Sequence, residues 1–289
     1  MGVILVKTRL LKSEDSKVLS VLSLYIIVPC VIINAFQIEY TNAIRDGLLL
    51  AVLAAVLIHL VLLLLSPLLS RLFHLDPLEQ ASVIYSNAGN LIVPLVTSIL
   101  GPQWVIYTSA YMSVQLILLW THCRMLLCGD RKMDLKKIFL NVNLISILIG
   151  LLLFAFNIRL PQIISEAVDS ISVMVGPLCM MVAGMLIGGM PVKQIFSYKR
   201  AWLVALCKMI LCPSIILLLL KYTGLSSLAA DGKTVLMISF LAAAAPSAAT
   251  VTQMAQVYGR DADYASVIYT VTTLCCIGTM PLMVFLYQL

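Results

Sequence analysis

Long apolar runs separated by short polar connections set the rhythm of this chain. Leu48 to Leu65 carries one ionisable residue, His59, and lacks the every-second-residue alternation of a half-buried strand. Helical runs of about 18 or more apolar residues are long enough to cross a hydrocarbon core of roughly 30 Å. A membrane barrel would need stretches of about 10 residues that alternate in polarity. The pattern predicts a stub over 1–6 and full spans near 18–38, 43–69, 81–100, 103–123, 139–156, 166–189, 200–220, 234–257 and 264–287. The stub is too short to cross a bilayer and lacks the basic start and small-residue cleavage site of a signal peptide. Gly2 to Val6 reads as the end of a first helix cut short, so ten spans are expected, the first truncated.

Composition agrees. The 289 residues are 62% hydrophobic and 11% charged, where a soluble domain is about half apolar and about a quarter charged. The net charge of +6 is no nucleic-acid signal, because the basic residues sit mostly in the connections. With the connections numbered alternately, one side collects 14 Lys and Arg and the other 4. That bias puts the richer side in the cytoplasm and both termini outside, as expected of a multi-pass protein of the cell membrane. The eight cysteines form no CxxC pair and no Cys/His metal spacing. They read as small apolar packing residues, and no metal or cofactor is expected.

An internal repeat changes the picture. A shift of 158 residues brings Gly101 onto Gly259 and Tyr111 onto Tyr269, and Asn87-Ala88-Gly89-Asn90 onto Ala245-Pro246-Ser247-Ala248. The repeat divides the chain into residues 1–123, a cytoplasmic connection over 124–138, and residues 139–289. Five spans is an odd number, so the second copy must enter the membrane the other way up. Inverted repeats interrupted at matching places mark secondary transporters, with the substrate at the repeat interface.

The fourth span contains Asn87, Gly89, Asn90 and Pro94 within eight residues. Proline removes a backbone donor and glycine lowers the cost of unwinding. In hydrocarbon, the freed backbone groups need partners in the protein or a wet cavity. A broken helix whose amides and asparagines hold a carboxylate answers that need, since helix N-termini favour anions; a kink with asparagines joining helices is the plainer reading. The ninth span runs Ala242 to Ala245, Pro246, Ser247 and Thr250, then Gln253. Its small residues let two broken helices cross at close range. Pro29 and Pro177 form a matched pair in the second and seventh spans, with Gly184, Gly188 and Gly189 suited to close packing. Pro67, Pro213 and Pro281 read as kinks or end signals.

Ionisable residues inside spans are costly and suggest function. His59 reads as a proton carrier or a quiet interhelical partner. Lys208 either snorkels to an interface or partners an anion. Gln115, one turn after Tyr111, faces a pore or joins helices. Glu166 and Asp169 sit near a span end and read as solvated. No Asp or Glu lies deep in a span, so a sodium site would need carbonyls and neutral side chains. The candidate substrate residues are therefore Asn87, Gly89, Asn90, Pro94, Pro29, Tyr111, Gln115, Pro246, Ser247, Thr250 and Gln253.

The whole chain resembles the auxin efflux carrier family of membrane permeases, which includes bacterial malate-type carriers. The resemblance rests on Asn87 followed seven residues later by Pro94, on Leu11-Lys12-Ser13-Glu14-Asp15 leading to Tyr25-Ile26-Ile27-Val28-Pro29, and on Pro246-Ser247-Ala248-Ala249 leading to Tyr258-Gly259. It implies an all-α fold like that of the bile-acid symporters, with ten spans, crossed and broken fourth and ninth helices, and an elevator-like motion of one bundle against a scaffold. It also implies that Asn87 contacts the substrate carboxylate, with Pro94, Pro246 and Pro29 shaping the site. The chain departs from the family in carrying Ile92 where a glycine usually stands. The function expected is transport of small organic anions such as dicarboxylates. The expected partners are that anion and the lipid bilayer, with a homodimer as a candidate assembly and no nucleic acid. The alternative is a membrane sensor or scaffold that keeps the fold without transporting. No nucleophile, metal or acid/base constellation argues for an enzyme.

Overall fold

The computed structural model describes residues 1–129, 140–189 and 197–289. Those residues are almost entirely helical. The helices are α1 (Gly2–Lys7), α2 (Ser13–Ala35), α3 (Asn42–Phe73), α4 (Pro77–Ile84), α5 (Ala88–Ile99), α6 (Pro102–Cys128) and α7 (Val142–Ala155). After them come α8 (Gln162–Ser172), α9 (Val175–Gly189), α10 (Lys199–Tyr222), α11 (Gly232–Ala244), α12 (Ala249–Val257) and α13 (Ala262–Gln288). Five of them (α2, α3, α6, α10 and α13) are long and apolar enough to cross a membrane. The fourth expected span is split into α4 and α5, the seventh into α8 and α9, and the ninth into α11 and α12, so no single piece of these has full length. The expected connection over 124–138 falls mostly outside the described residues.

Local chemistry explains where the helices start. Thr41 caps α3 by accepting from the Ile44 amide at 3.2 Å, and Asp261 caps α13 by accepting from Tyr264 N at 2.9 Å. Ahead of α4, Asp76 accepts from Glu79 N at 2.8 Å while Glu79 accepts from Asp76 N at 2.9 Å. This capping box is completed by Pro77 in the first turn, where no amide is needed.

Three prolines leave a shared trace. Pro29, Pro94 and Pro213 each follow a widened π-helical turn, over Ser23–Ile27, Ala88–Ile92 and Cys207–Leu211. A proline lacks the amide for the helical ladder and its ring presses on the carbonyl one turn back; widening the turn relieves both. Pro213 is thus more than a kink, whereas Pro67 and Pro281 lie inside uninterrupted helices.

The helices form two groups. In one, α1 packs on α9, and α2 packs on α7 and α8. The α1–α9 approach is close because glycines line it: a Cβ on Gly184 would stand 3.0 Å from Gly2 Cα, and one on Gly188 would stand 3.0 Å from Val3 Cα. In the other group, α3 packs on α6 and α11, α10 on α13, and α12 on α13. The broken helices α4–α5 and α11–α12 lie within this second group, and Tyr85, Ala88, Ala242 and Ala245 at their interruptions have no exposure to solvent.

Candidate functional site

The site begins with two interruptions that satisfy each other. The chain leaves helical geometry at Tyr85 after α4 and at Ala245 after α11, both extended. The two extended segments then pair as a short antiparallel bridge, Ser86 opposite Ser247. Asn87 N donates to Pro246 O at 2.8 Å, and Ala248 N donates to Tyr85 O at 3.0 Å. Pro246 stands where the bridge needs only an acceptor, so its missing amide costs nothing there. This is how a buried, non-helical backbone avoids unpaired groups.

Neighbouring side chains hold the outer edges of the bridge. Gln115 on α6 accepts from Ser86 N at 3.0 Å and from Ser86 Oγ at 2.8 Å, and donates to Ser86 O at 2.8 Å. Behind Ser86, its hydroxyl lies 3.4 Å from the Tyr111 hydroxyl, and the Tyr111 ring packs at 4.7 Å against the His59 ring, tilted by 40°. On the other edge, Ser247 N donates to Thr272 Oγ1 at 3.2 Å. Gln115 and Tyr111 therefore brace the crossing from behind.

Four helix ends meet here: the C-termini of α4 and α11 and the N-termini of α5 and α12. Lys208, fully buried in the widened turn of α10, points its ammonium at Ala243 O (3.3 Å) and Ile84 O (3.5 Å). It neither snorkels to a surface nor faces a ligand cavity; it meets the two C-terminal ends. The first-turn amides of α5 and α12 lie at the positive ends of their dipoles, where the opening amides lack the usual helical acceptor, although Val251 N already donates to Ala248 O at 3.0 Å.

A cavity of about 460 Å³ opens beside the crossing, between the two helix groups. Ser20 and Ser23 of α2 and Val182 and Gly184 of α9 form one wall. Asn87, Asn90, Pro94, Pro246, Tyr269 and Thr273 belong to the other. Asn87 Nδ2 donates to the Tyr269 hydroxyl at 3.3 Å, while the buried Asn90 Oδ1 has no hydrogen-bond partner among the described residues. No charged side chain among the described residues lines this cavity, and Leu91, Leu95, Ile277 and Met280 give it an apolar remainder. A second cavity of about 60 Å³ is lined by Gly89, Gln115 and Thr250, again with Asn87 and Asn90.

The structure thus brings Asn87, Asn90, Pro94 and Pro246 to the large cavity. Gly89, Thr250 and Gln115 stand at the small one, and Ser247 is within the bridge. Pro29 lines neither cavity; it follows the widened turn of α2 that touches the start of α5. The side chain of Gln253 lies outside the described ones. Tyr269, Thr273, Ser20 and Ser23 are cavity residues that the sequence did not single out for the site. For Tyr269 the signal was present, since the 158-residue shift brings Tyr111 onto it. Glu79 was another omission: wholly buried, it accepts from Arg200 Nε at 2.8 Å and from the Tyr264 hydroxyl at 2.6 Å, tying α4 to α10 and α13.

Several apolar helices of membrane-crossing length around a polar, interrupted pair with an adjoining cavity define a multi-pass membrane transporter. A family model described as membrane transport protein matches the chain twice, over residues 1–132 and 129–284. The chain belongs to that family, the auxin efflux carriers among membrane transport proteins. No curated protein matches it.

Proposed function

We propose that the protein is a secondary transporter for small organic anions, dicarboxylates among them, that works in the cell membrane by elevator-type alternating access. One observation carries the reading. Two half-helices start at a buried crossing beside a cavity, and their C-terminal counterparts are already matched by a lysine. The remaining positive helix ends and the amide groups of Asn87 and Asn90 suit a carboxylate. The apolar wall suits a short carbon skeleton. The cavity also separates two helix groups, as a moving bundle and a scaffold would require.

The inverted repeat is part of the same proposal, with halves at 1–123 and 139–289. The antiparallel pairing of the two breaks supports it, as does the positive φ of both Gly101 (104°) and Gly259 (65°) at the ends of α5 and the α12 segment. The protein acts as a carrier and not as an enzyme, and it needs no cofactor; a homodimer is the assembly proposed.

The test is uptake of radiolabelled four-carbon dicarboxylates into proteoliposomes. Asn87→Ala is expected to cut uptake at least about tenfold, the equivalent of about 1.4 kcal/mol, while the purified variant keeps its melting profile. Unchanged uptake and binding would remove Asn87 from the site. Saturable binding without uptake by the wild-type chain would favour a sensor.

A further inference from the structure

Lys208 is the most unusual charge in the molecule. It has no exposure, and among the described residues it makes no ion pair with a carboxylate. A buried ammonium is costly unless something compensates it. Its two hydrogen-bond acceptors are the carbonyls of Ile84 and Ala243, each in the last turn before a break. A helix C-terminus carries about half a negative charge. Two such ends amount to about one unit, which one ammonium matches. The π-helical turn ahead of Pro213 includes Lys208, so the proline that widens α10 also sets the lysine at the crossing.

Backbone carbonyls gathered at interrupted helices are what a transporter uses to hold a small cation. Here those carbonyls are occupied by a side chain. Among the described residues, the other ionisable groups close enough to feel the ammonium are His59 of α3 and Cys212 of α10, and neither is a carboxylate. We propose that Lys208 is the built-in cation of the crossing, holding the position at Ile84 O and Ala243 O that a coupling sodium ion would take, so that the anion is carried without sodium. The transport part of this rests on the anion-carrier reading; the cation part does not.

Sodium itself is the probe. Wild-type protein in detergent is expected to bind no 22Na+, and its Tm is expected to stay the same when NaCl replaces choline chloride. Its dicarboxylate uptake should differ less than twofold between the two salts. Lys208→Ala empties the ammonium position and is expected to gain a sodium-dependent rise in Tm. Its uptake should fall at least about tenfold in choline and recover in part with sodium. Lys208→Met fills the space without charge and is expected to lose uptake in both salts with no sodium response.

Stoichiometric 22Na+ binding by the wild type overturns the proposal. So does wild-type uptake by Lys208→Met in choline, or a folded Lys208→Ala that ignores sodium. If Lys208→Ala does not fold, the wild-type and Lys208→Met measurements still decide. A wild-type chain that carries no dicarboxylate in either salt breaks the carrier reading alone, because 22Na+ binding and Tm report the cation site independently.

Discussion

The two interruptions at the crossing do the same backbone job with opposite side chains. The first, Tyr85 to Asn87, is polar and is held by a long side chain: Gln115 reaches Ser86 with three hydrogen bonds. The second, Ala245 to Ala248, lies among alanines and makes one such bond, donated by Ser247 N to the short hydroxyl of Thr272. Only the first continues into residues, Asn87 and Asn90, whose amides line the cavity. The difference teaches a division of labour: one break presents chemistry to the cavity, and the other presents smallness, so that the two backbones can touch.

Gln115→Leu tests the polar side and should have the largest effect. It strips partners from a buried amide and a buried carbonyl of Ser86, and each unpaired group costs about 1–3 kcal/mol. A loss of about 4 kcal/mol is expected in denaturation of the purified protein, enough to prevent accumulation in the membrane. Ala245→Leu tests the small side. Ala245 is fully buried against the opposing strand, and overpacking there should cost about 1–3 kcal/mol. A Leu accommodated without loss of Tm would show that smallness is not what the second break supplies. Thr272→Val keeps the volume and removes the acceptor for Ser247 N, together with the hydroxyl's own bonds to the carbonyls of Ile268 and Tyr269 on its helix; with one buried amide left unpaired, about 1 kcal/mol is expected in the same measurement. If Thr272→Val proves as damaging as Gln115→Leu, the two edges are equivalent and the comparison fails.

What the sequence made legible was whatever depends on neighbours along the chain. Apolar runs announced the helices, and Gly89, Pro94 and Pro246 announced where two of them break. The pairing of Asn87 N with Pro246 O was not legible in that way, because it joins residues far apart in the chain and depends on how the helices pack. The same holds for Lys208: its neighbours in sequence are apolar, and nothing local says that two distant carbonyls await its ammonium. Glu79 falls two residues ahead of the expected span over 81–100, yet it is wholly buried once Arg200 and Tyr264 close over it. The proposed repeat is an approximate match. Gly101 and Gly259 are 158 residues apart, but α5 and α12 start at Ala88 and Ala249, 161 apart. The widened turn ahead of Pro94 and the shorter α12 make the two segments locally unequal, and a rigid shift cannot express that.

Asn90 gives the smallest expected change in stability and the sharpest test of the division of labour. Its buried Oδ1 has no partner among the described residues, so truncation leaves no protein group unpaired through that atom. Asn90 also lines both cavities and is only partly buried, so Asn90→Ala opens space where space already exists. A substitution of this kind should stay within about 0.5 kcal/mol of the wild type in denaturation. Dicarboxylate affinity should nevertheless fall about tenfold, or about 1.4 kcal/mol, if the amide meets ligand and not helix as proposed. A loss of 2 kcal/mol or more with unchanged affinity would make Asn90 an interhelical fastener, and the first break would then owe its polarity to folding alone.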